Sequence, residues 1–366
     1  MKERVLVAGL GSIGRRHARL LAERDNLSVE WCEISDDMLK LAEKEAPAPA
    51  KIFRDFSEAV ESSPDFLVIA TPQNLHCSQA LLALDAGIPI LCEKPLSDNL
   101  RDAARIAERV QESGVPFTVG FQSHFSVGHQ RMRNLVRSGA LGEIRHFHCR
   151  VGSYITLENS RSRYQSKTIG ALIQDYSHQP DLAYWILNQI PSELIARGLV
   201  TRSVPLWAEP NLLSVDFLYP TELLGTLHLN YLQMPQRHHY EILGDEGWVF
   251  FDADVGEIQI GNRIDRRIFK EEVSVERDEL YRLEHQAFFD TAAGRRTAES
   301  PADQGLVSVA VAEATVRSWQ TGQPVSMSDL LNSHPPSALD ETDARSNEPD
   351  NIDSGTNCVS LQAGGR

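Results

Sequence analysis

Cysteine is scarce in this chain. Its 366 residues carry five, Cys32, Cys77, Cys92, Cys149 and Cys358, with no CxxC pair among them. An odd, dispersed set in a long chain excludes a disulfide framework and reads as reduced thiols in a cytoplasmic protein. Long apolar runs are missing too: none reaches the roughly 18 residues of a membrane span. The N-terminal stretch MKERVLVAGLGSIG lacks the apolar centre of an export signal. Positive charge is in deficit, with 36 Lys and Arg against 51 Asp and Glu and a net charge of −15. That balance excludes nucleic acid and an anionic membrane as partners. No internal repeat is present. What is left is a soluble chain whose 42% hydrophobic content can fill two cores of ordinary size.

The texture changes twice along the chain. Residues 4–121 alternate short apolar runs (RVLVAGL, LSVEWCE, DFLVIATP, IPILCEKP, PFTVGFQ) with helical patterns. Such alternation predicts an α/β unit: a parallel sheet with helices on both faces. Residues 122–331 carry alternating runs such as NLLSVDFLYP and TELLGTLHLNYL, which predict an α+β unit with a mostly antiparallel sheet. DYSHQPDLAYWILN interrupts them as one helix starting near Ser177, and two more helices close the unit. Residues 332–366 are polar, acidic and poor in aromatics, the composition of a disordered tail.

Gly9-Leu10-Gly11-Ser12-Ile13-Gly14 is a G-x-G-x-x-G that follows a strand and opens a helix. In that setting Gly9 makes the turn, Gly11 lets backbone approach a pyrophosphate and Gly14 lets helix and strand pack closely. The free N–H groups of Ser12 and Ile13 then face the phosphates. Glu33 stands at the end of the second strand, where a carboxylate accepts from both ribose hydroxyls and repels a 2′-phosphate. NAD is therefore favoured over NADP. Arg15 and Arg16 lie in the first helical turn, where a cation needs an anion nearby; a phosphate and a solvated face are both open readings. Thr71, Pro72, Asn74 and His76 follow the third strand, and Glu93-Lys94-Pro95 ends another. Ligands bind outside such carboxyl ends, so these loops border one crevice.

GLGSIGRRHARLL, ATPQNLHCSQALLALDAGIPILCEKPLS, VGFQSHF and DYSHQPDLAYWIL together resemble the glucose–fructose oxidoreductase / inositol dehydrogenase (Gfo/Idh/MocA) family over residues 4–330. The resemblance implies a Rossmann NAD-binding domain, here residues 1–121. It also implies a substrate-binding and oligomerisation domain with a large open sheet, here 122–331. It implies oxidation or reduction of a sugar, polyol or sugar derivative, and a homodimer or homotetramer paired through that sheet. Lys94 falls at the lysine that meets substrate beside the nicotinamide. His178 falls at the histidine opening the substrate-domain helix, with Asp181 one turn on. Thr71, Pro72, Asn74, His76 and Glu93 fall in loops that flank the cofactor.

Chemistry supports the lysine independently. Dehydrogenating a carbinol requires the O–H proton to leave as hydride departs. A lysine near its usual pKa of about 10.4 is a poor base, but burial at a crevice lowers it. Asp175, His178 and Asp181 lie three apart, so one helix that began early enough would put them on one face, with Asp175 orienting the imidazole. Tyr154, Arg163, Tyr164 and Lys167 precede that helix; they read either as sugar-contacting groups or as an exposed loop. Ser97 and Asp98 read as caps of the next helix. No metal is expected: His146/His148 and His238/His239 read as strand-face or surface residues.

The chain also departs from the family pattern. Gln174 stands where many members carry Asp, Ile169-Gly170 where some carry Gly-Gly, and His124 where many carry Arg. Asp175-x-Ser177-His178 resembles a variant tied to surface-glycan and nonulosonic-acid sugar metabolism. A non-catalytic NAD(H)-binding regulator on the same fold is the alternative, and a cofactor recycled in place is a third reading.

Overall fold

A computed structural model describes residues 2–160, 163–274 and 276–333. The expected tail, beyond residue 333, lies outside the described residues. The first half runs β1 (Glu3–Ala8), α1 (Ser12–Ala22), β2 (Leu27–Cys32), α2 (Asp36–Glu45), β3 (Ile52–Phe53), α3 (Phe56–Glu61), β4 (Phe66–Ile69), α4 (His76–Asp85), β5 (Ile90–Glu93), α5 (Leu100–Ser113) and β6 (Phe117–Gly120). These strands form one parallel sheet in the order β3-β2-β1-β4-β5-β6, the doubly wound order of a Rossmann sheet. The order reverses between β1 and β4, so a crevice opens at their carboxyl ends. The described cysteines are free and buried, and no helix among the described residues is long and apolar enough to cross a membrane.

The second half runs α6 (Val127–Arg137), β7 (Ile144–Gly152), α7 (Ile155–Asn159), α8 (Ala171–Asp175), α9 (His178–Leu187), β8 (Glu193–Leu199), β9 (Leu212–Leu218), β10 (Leu224–Asn230), β11 (Arg237–Gly244), β12 (Gly247–Asp252), β13 (Glu257–Asn262), β14 (Arg267–Glu272), α10 (Arg277–Ala292), α11 (Ala302–Thr321), β15 (Val325–Ser326) and α12 (Met327–Asn332). Its strands form a nine-stranded sheet, antiparallel except where β10 runs parallel to β7. Strand alternation divides the side chains cleanly. Leu213, Val215 and Phe217 of β9 are buried, whereas the intervening residues face outward. Outward-facing Leu218, Leu224, His146 and Leu243 are register partners in a row across β9, β10, β7 and β11, and the three leucines are exposed.

Three differences from the sequence reading bear on the site. The helix expected from near Ser177 is α9, which begins at His178 and so not early enough to include Asp175; that residue ends the separate α8, with Tyr176 out of helical geometry. Asp175 and His178 therefore do not share a helix face. The cap of α5 is Asn99, whose side chain accepts from the Asp102 amide at 2.9 Å, so neither Ser97 nor Asp98 caps it. Finally, α10 returns to the first sheet. Its Phe288 and Phe289 join Val5, Val7 and Val68 in a core cluster on that sheet's outer face, and Phe289 meets Phe66 edge-on at 4.9 Å.

Candidate active site

The glycine turn is set by close approach. Gly9 has φ +83°, and a Cβ there would lie 2.7 Å from the Ala70 carbonyl oxygen; one at Gly14 would lie 1.8 Å from that of Gly9. Gly11 differs, because a Cβ there would meet nothing within 4 Å. The space above it is open, and no side chain caps the first turn of α1. Its first amides, including those of Ser12 and Ile13, have no partner within the helix. That is a cradle a phosphate fits and a side chain would fill. Gly11→Val should weaken NAD binding by about tenfold or more with little loss of stability, read by titrating NADH fluorescence alongside thermal unfolding.

Glu33 closes the turn from the other side. Its two carboxylate oxygens accept from the Leu10 amide at 2.7 Å and the Ser35 amide at 2.8 Å. Arg15 and Arg16 are not free for a phosphate. Arg15 pairs with Glu45 at 2.8 Å, and Arg16 pairs with Asp278 at 3.2 Å.

Two residues expected at the cofactor are turned into the protein instead. His76 is buried; one ring nitrogen meets the Pro95 carbonyl and the other the Thr71 carbonyl, both at 3.0 Å. It ties the loop after β4 to the loop after β5 and has no ring nitrogen left for a ligand. Glu93 is buried as well, bonded to His17 Nε2 at 2.9 Å, with the Lys94 amide donating to its other oxygen at 3.2 Å. Burial opposes its charge, but the bond and charge of His17, with the charge of Lys94, hold it below the usual carboxylate range. Of the loop after β4, Pro72 and Asn74 are exposed, and Thr71 donates to Gln79 at 2.7 Å.

Glu93 belongs to a buried quartet with His17, Glu284 and His285. His17 Nδ1 meets His285 Nε2 at 2.7 Å, and Glu284 has both carboxyl oxygens buried without a hydrogen-bond partner. Burial and the charge of Glu93 push Glu284 well above its ordinary range. The folded protein thus holds a proton there that the unfolded chain releases near the ordinary glutamate value of about 4.3, so this group costs stability as pH rises above that range. Glu284→Gln, which mimics the protonated acid, should gain more stability at pH 8 than at pH 4, by about 1 kcal/mol or more. Chemical denaturation at both values checks it.

Lys94 projects from the end of β5, through a cis Lys94–Pro95 peptide, and its Nζ donates to the backbone carbonyl of Asp175 at 2.8 Å. Burial pushes the ammonium down; Asp175 and Glu93 oppose. The Asp175 carboxyl accepts from the hydroxyls of Tyr164 and Tyr231 and from Gln165 Nε2. Burial raises it to about 6 against the Tyr231 bond and the Lys94 charge. The expected pairing of Asp175 with the imidazole of His178 is absent, because the break after α8 turns them to different partners. Nδ1 of His178 is buried without a hydrogen bond, and the ring lies edge-on to Phe121 at 5.6 Å. Burial, then the charge of Lys94, pushes it well below the usual imidazole range, so it is neutral. Asp181 pairs instead with His124 at 2.7 Å and accepts from Gln304 at 2.7 Å.

The substrate loop divides. Tyr164 reaches Asp175, but the Tyr154 hydroxyl accepts from the Leu206 amide and the exposed Arg163 donates to the Leu157 carbonyl. Lys167 is exposed. Sequence reasoning missed Tyr231, His17 and Glu284. His17 lay inside the quoted GRRHA stretch; the others carry no local signal.

A glycine cradle on a Rossmann sheet, with a partly buried lysine and a neutral histidine at the crevice, defines a nicotinamide-dependent oxidoreductase. The chain belongs to the Gfo/Idh/MocA oxidoreductase family and binds NAD. Residues 3–121 match the family's NAD-binding Rossmann fold, 129–250 its GFO/IDH/MocA C-terminal domain and 222–327 its C-terminal alpha/beta domain. Inositol 2-dehydrogenase of Salmonella typhimurium is 24% identical over 328 residues, covering 86% of this chain and 94% of that protein. The 2,7-anhydro-N-acetylneuraminate hydratase of Escherichia coli is 26% identical over 267 residues, 70% of each. Scyllo-inositol dehydrogenase from Lactobacillus casei, solved with NAD(H) and scyllo-inositol, shares the fold. Its TM-score is 0.76 at 20% identity, over 90% of this chain and 100% of that one.

Proposed function

We propose that this protein moves hydride between NAD and a carbinol carbon of a sugar, polyol or sugar derivative. Residues 1–121 bind the cofactor and residues 122–331 the substrate. Bound NAD supplies a hydride acceptor at the nicotinamide. The observation that carries the reading is Lys94: a partly buried ammonium, anchored to the Asp175 carbonyl, beside a histidine whose Nδ1 has no partner among the described residues. The Lys94 ammonium donates to the carbinol oxygen and steadies the charge that develops there. His178, held neutral, accepts the carbinol proton. The Asp175 carboxylate keeps Lys94 charged, and Tyr164, Tyr231 and Gln165 hold that carboxylate in place. Glu93 and His76 fix the loop that carries the lysine.

The test is absorbance at 340 nm with NAD and a panel of inositols, sugars and sugar derivatives. A rise with at least one member supports the reading. Silence across the panel with tight NAD binding supports a non-catalytic regulator. The exposed row of Leu218, Leu224 and Leu243 supports pairing of copies through the open sheet. Light scattering should then give a dimer or tetramer, and Leu224→Glu should shift the protein toward monomer.

A further inference from the structure

The loops around Lys94 are braced to one another, and one brace plays no part in the reaction as described. The loop after β4 makes a short turn, Gln73–Leu75, just before His76. Gln73 Nε2 donates to Oε1 of Gln174 at 2.8 Å, across 101 residues of sequence. Both residues are half-buried, so the bond is partly sheltered from water. Among the described residues no other hydrogen bond joins this loop to the second half of the chain. Gln174 Nε2 in turn donates to the Asp98 carbonyl, in the loop after β5, at 3.4 Å. Gln174 is one of the departures from the family pattern, and both ends of its amide are spent on the first half.

Three elements therefore meet at the lysine, and each pair of them is tied. His76 joins the loop after β4 to the loop after β5, through the Thr71 and Pro95 carbonyls. Lys94 joins the loop after β5 to the end of α8, through the Asp175 carbonyl at 2.8 Å. Gln73 joins the loop after β4 to that same end of α8. Two ties leave a hinge; the third closes a triangle. The hinge would matter, because α8 has only five residues and a helix that short does not hold its own place. Tyr164, Gln165 and Tyr231 fix the Asp175 side chain within the second half. Against the first half, the end of α8 is held by Lys94 and Gln174. The reacting groups are divided the same way, with the glycine cradle and Lys94 on one half and Asp175 and His178 on the other. A misplacement of about 1 Å between such groups can cost on the order of a hundredfold in rate.

We propose that Gln73 and Gln174 are positioning residues: their hydrogen bond sets the end of α8, and with it Asp175 and the start of α9, against Lys94. This rests on the hydride-transfer reading of the same crevice, but amide exchange tests the brace apart from turnover. The full chain loaded with NADH is compared as wild type, Gln73→Leu, Gln174→Leu, the double variant and Gln73→Lys. In Gln73→Leu, deuterium exchange of residues 171–177, read by mass spectrometry, should speed up by about fivefold or more. With a substrate from the panel, each single Leu variant should lose about tenfold in kcat. The double variant should lose no more than about twofold beyond the worse single, because all three lack the same bond. Gln73→Lys keeps a donor toward Gln174 Oε1 and should recover most of the kcat that Gln73→Leu loses. Unchanged exchange over 171–177 in Gln73→Leu overturns the proposal. So does faster exchange with kcat within about twofold of wild type, which makes the bond merely structural, and so do losses that add in the double variant. Exchange governed by Gln73 in a protein that turns over no substrate sinks hydride transfer alone.

Discussion

Lys94→Ala should lower turnover by about a thousandfold or more while NAD binds as before. A thousandfold is roughly 4 kcal/mol of transition-state stabilisation, the scale expected when a preorganised charge facing a developing alkoxide is removed from a dry site. The side chain is well placed for that effect. It is partly buried, and among the described residues the one hydrogen bond that its Nζ makes is to a carbonyl, not a carboxylate. Its donors are therefore not consumed by an ion pair with Glu93, whose carboxylate is turned to His17. NAD affinity should survive because the glycine cradle and α1 are built from other residues. Stopped-flow turnover and NADH binding on the same preparation separate the two effects. A variant within about threefold of wild type would remove Lys94 from the chemistry.

His178→Gln should cost about a hundredfold to ten-thousandfold in kcat, the range of a positioned general base. Gln keeps a polar group but cannot take a proton. The pH profile adds a sharper check. His178 is pushed well below the usual imidazole range and does not ionise across working pH. The acid limb of kcat/KM therefore belongs to Asp175, raised to about 6, whose protonation removes the negative charge that supports the Lys94 ammonium. Activity should fall as pH drops through about 6. Tyr231→Phe deletes a hydrogen bond that favours the carboxylate and should move that limb upward. A limb unmoved by Tyr231→Phe would assign it elsewhere.

The parts of this architecture that are local were legible in the sequence. Gly9, Gly11 and Gly14 sit within one turn, and the alternation of strands and helices to residue 121 dictates a parallel sheet. Lys94, Asp175 and His178 were read as site residues from strand ends and family resemblance. The relations among them were not legible, because they are made by distant segments. Whether Asp175 and His178 share a helix depends on Tyr176, which breaks the helix despite an unremarkable sequence. Asp181 spends its charge on His124, 57 residues away in sequence. Glu93 and His76 looked like crevice residues because they flank exposed loops, yet packing turns both inward. Tyr231 reaches Asp175 from a sheet end whose position depends on how the second half folds.

The central claim is that a carbinol hydride leaves the substrate for the nicotinamide in this crevice. The most direct measurement is isotopic. The full chain is incubated with NAD and a substrate from the panel deuterated at its carbinol carbon, and the cofactor is analysed by mass spectrometry. Deuterium should appear in NADH from the wild-type protein and be lost with Lys94→Ala. Tight NAD binding with no deuterium in the cofactor, for every substrate that binds, would contradict the account.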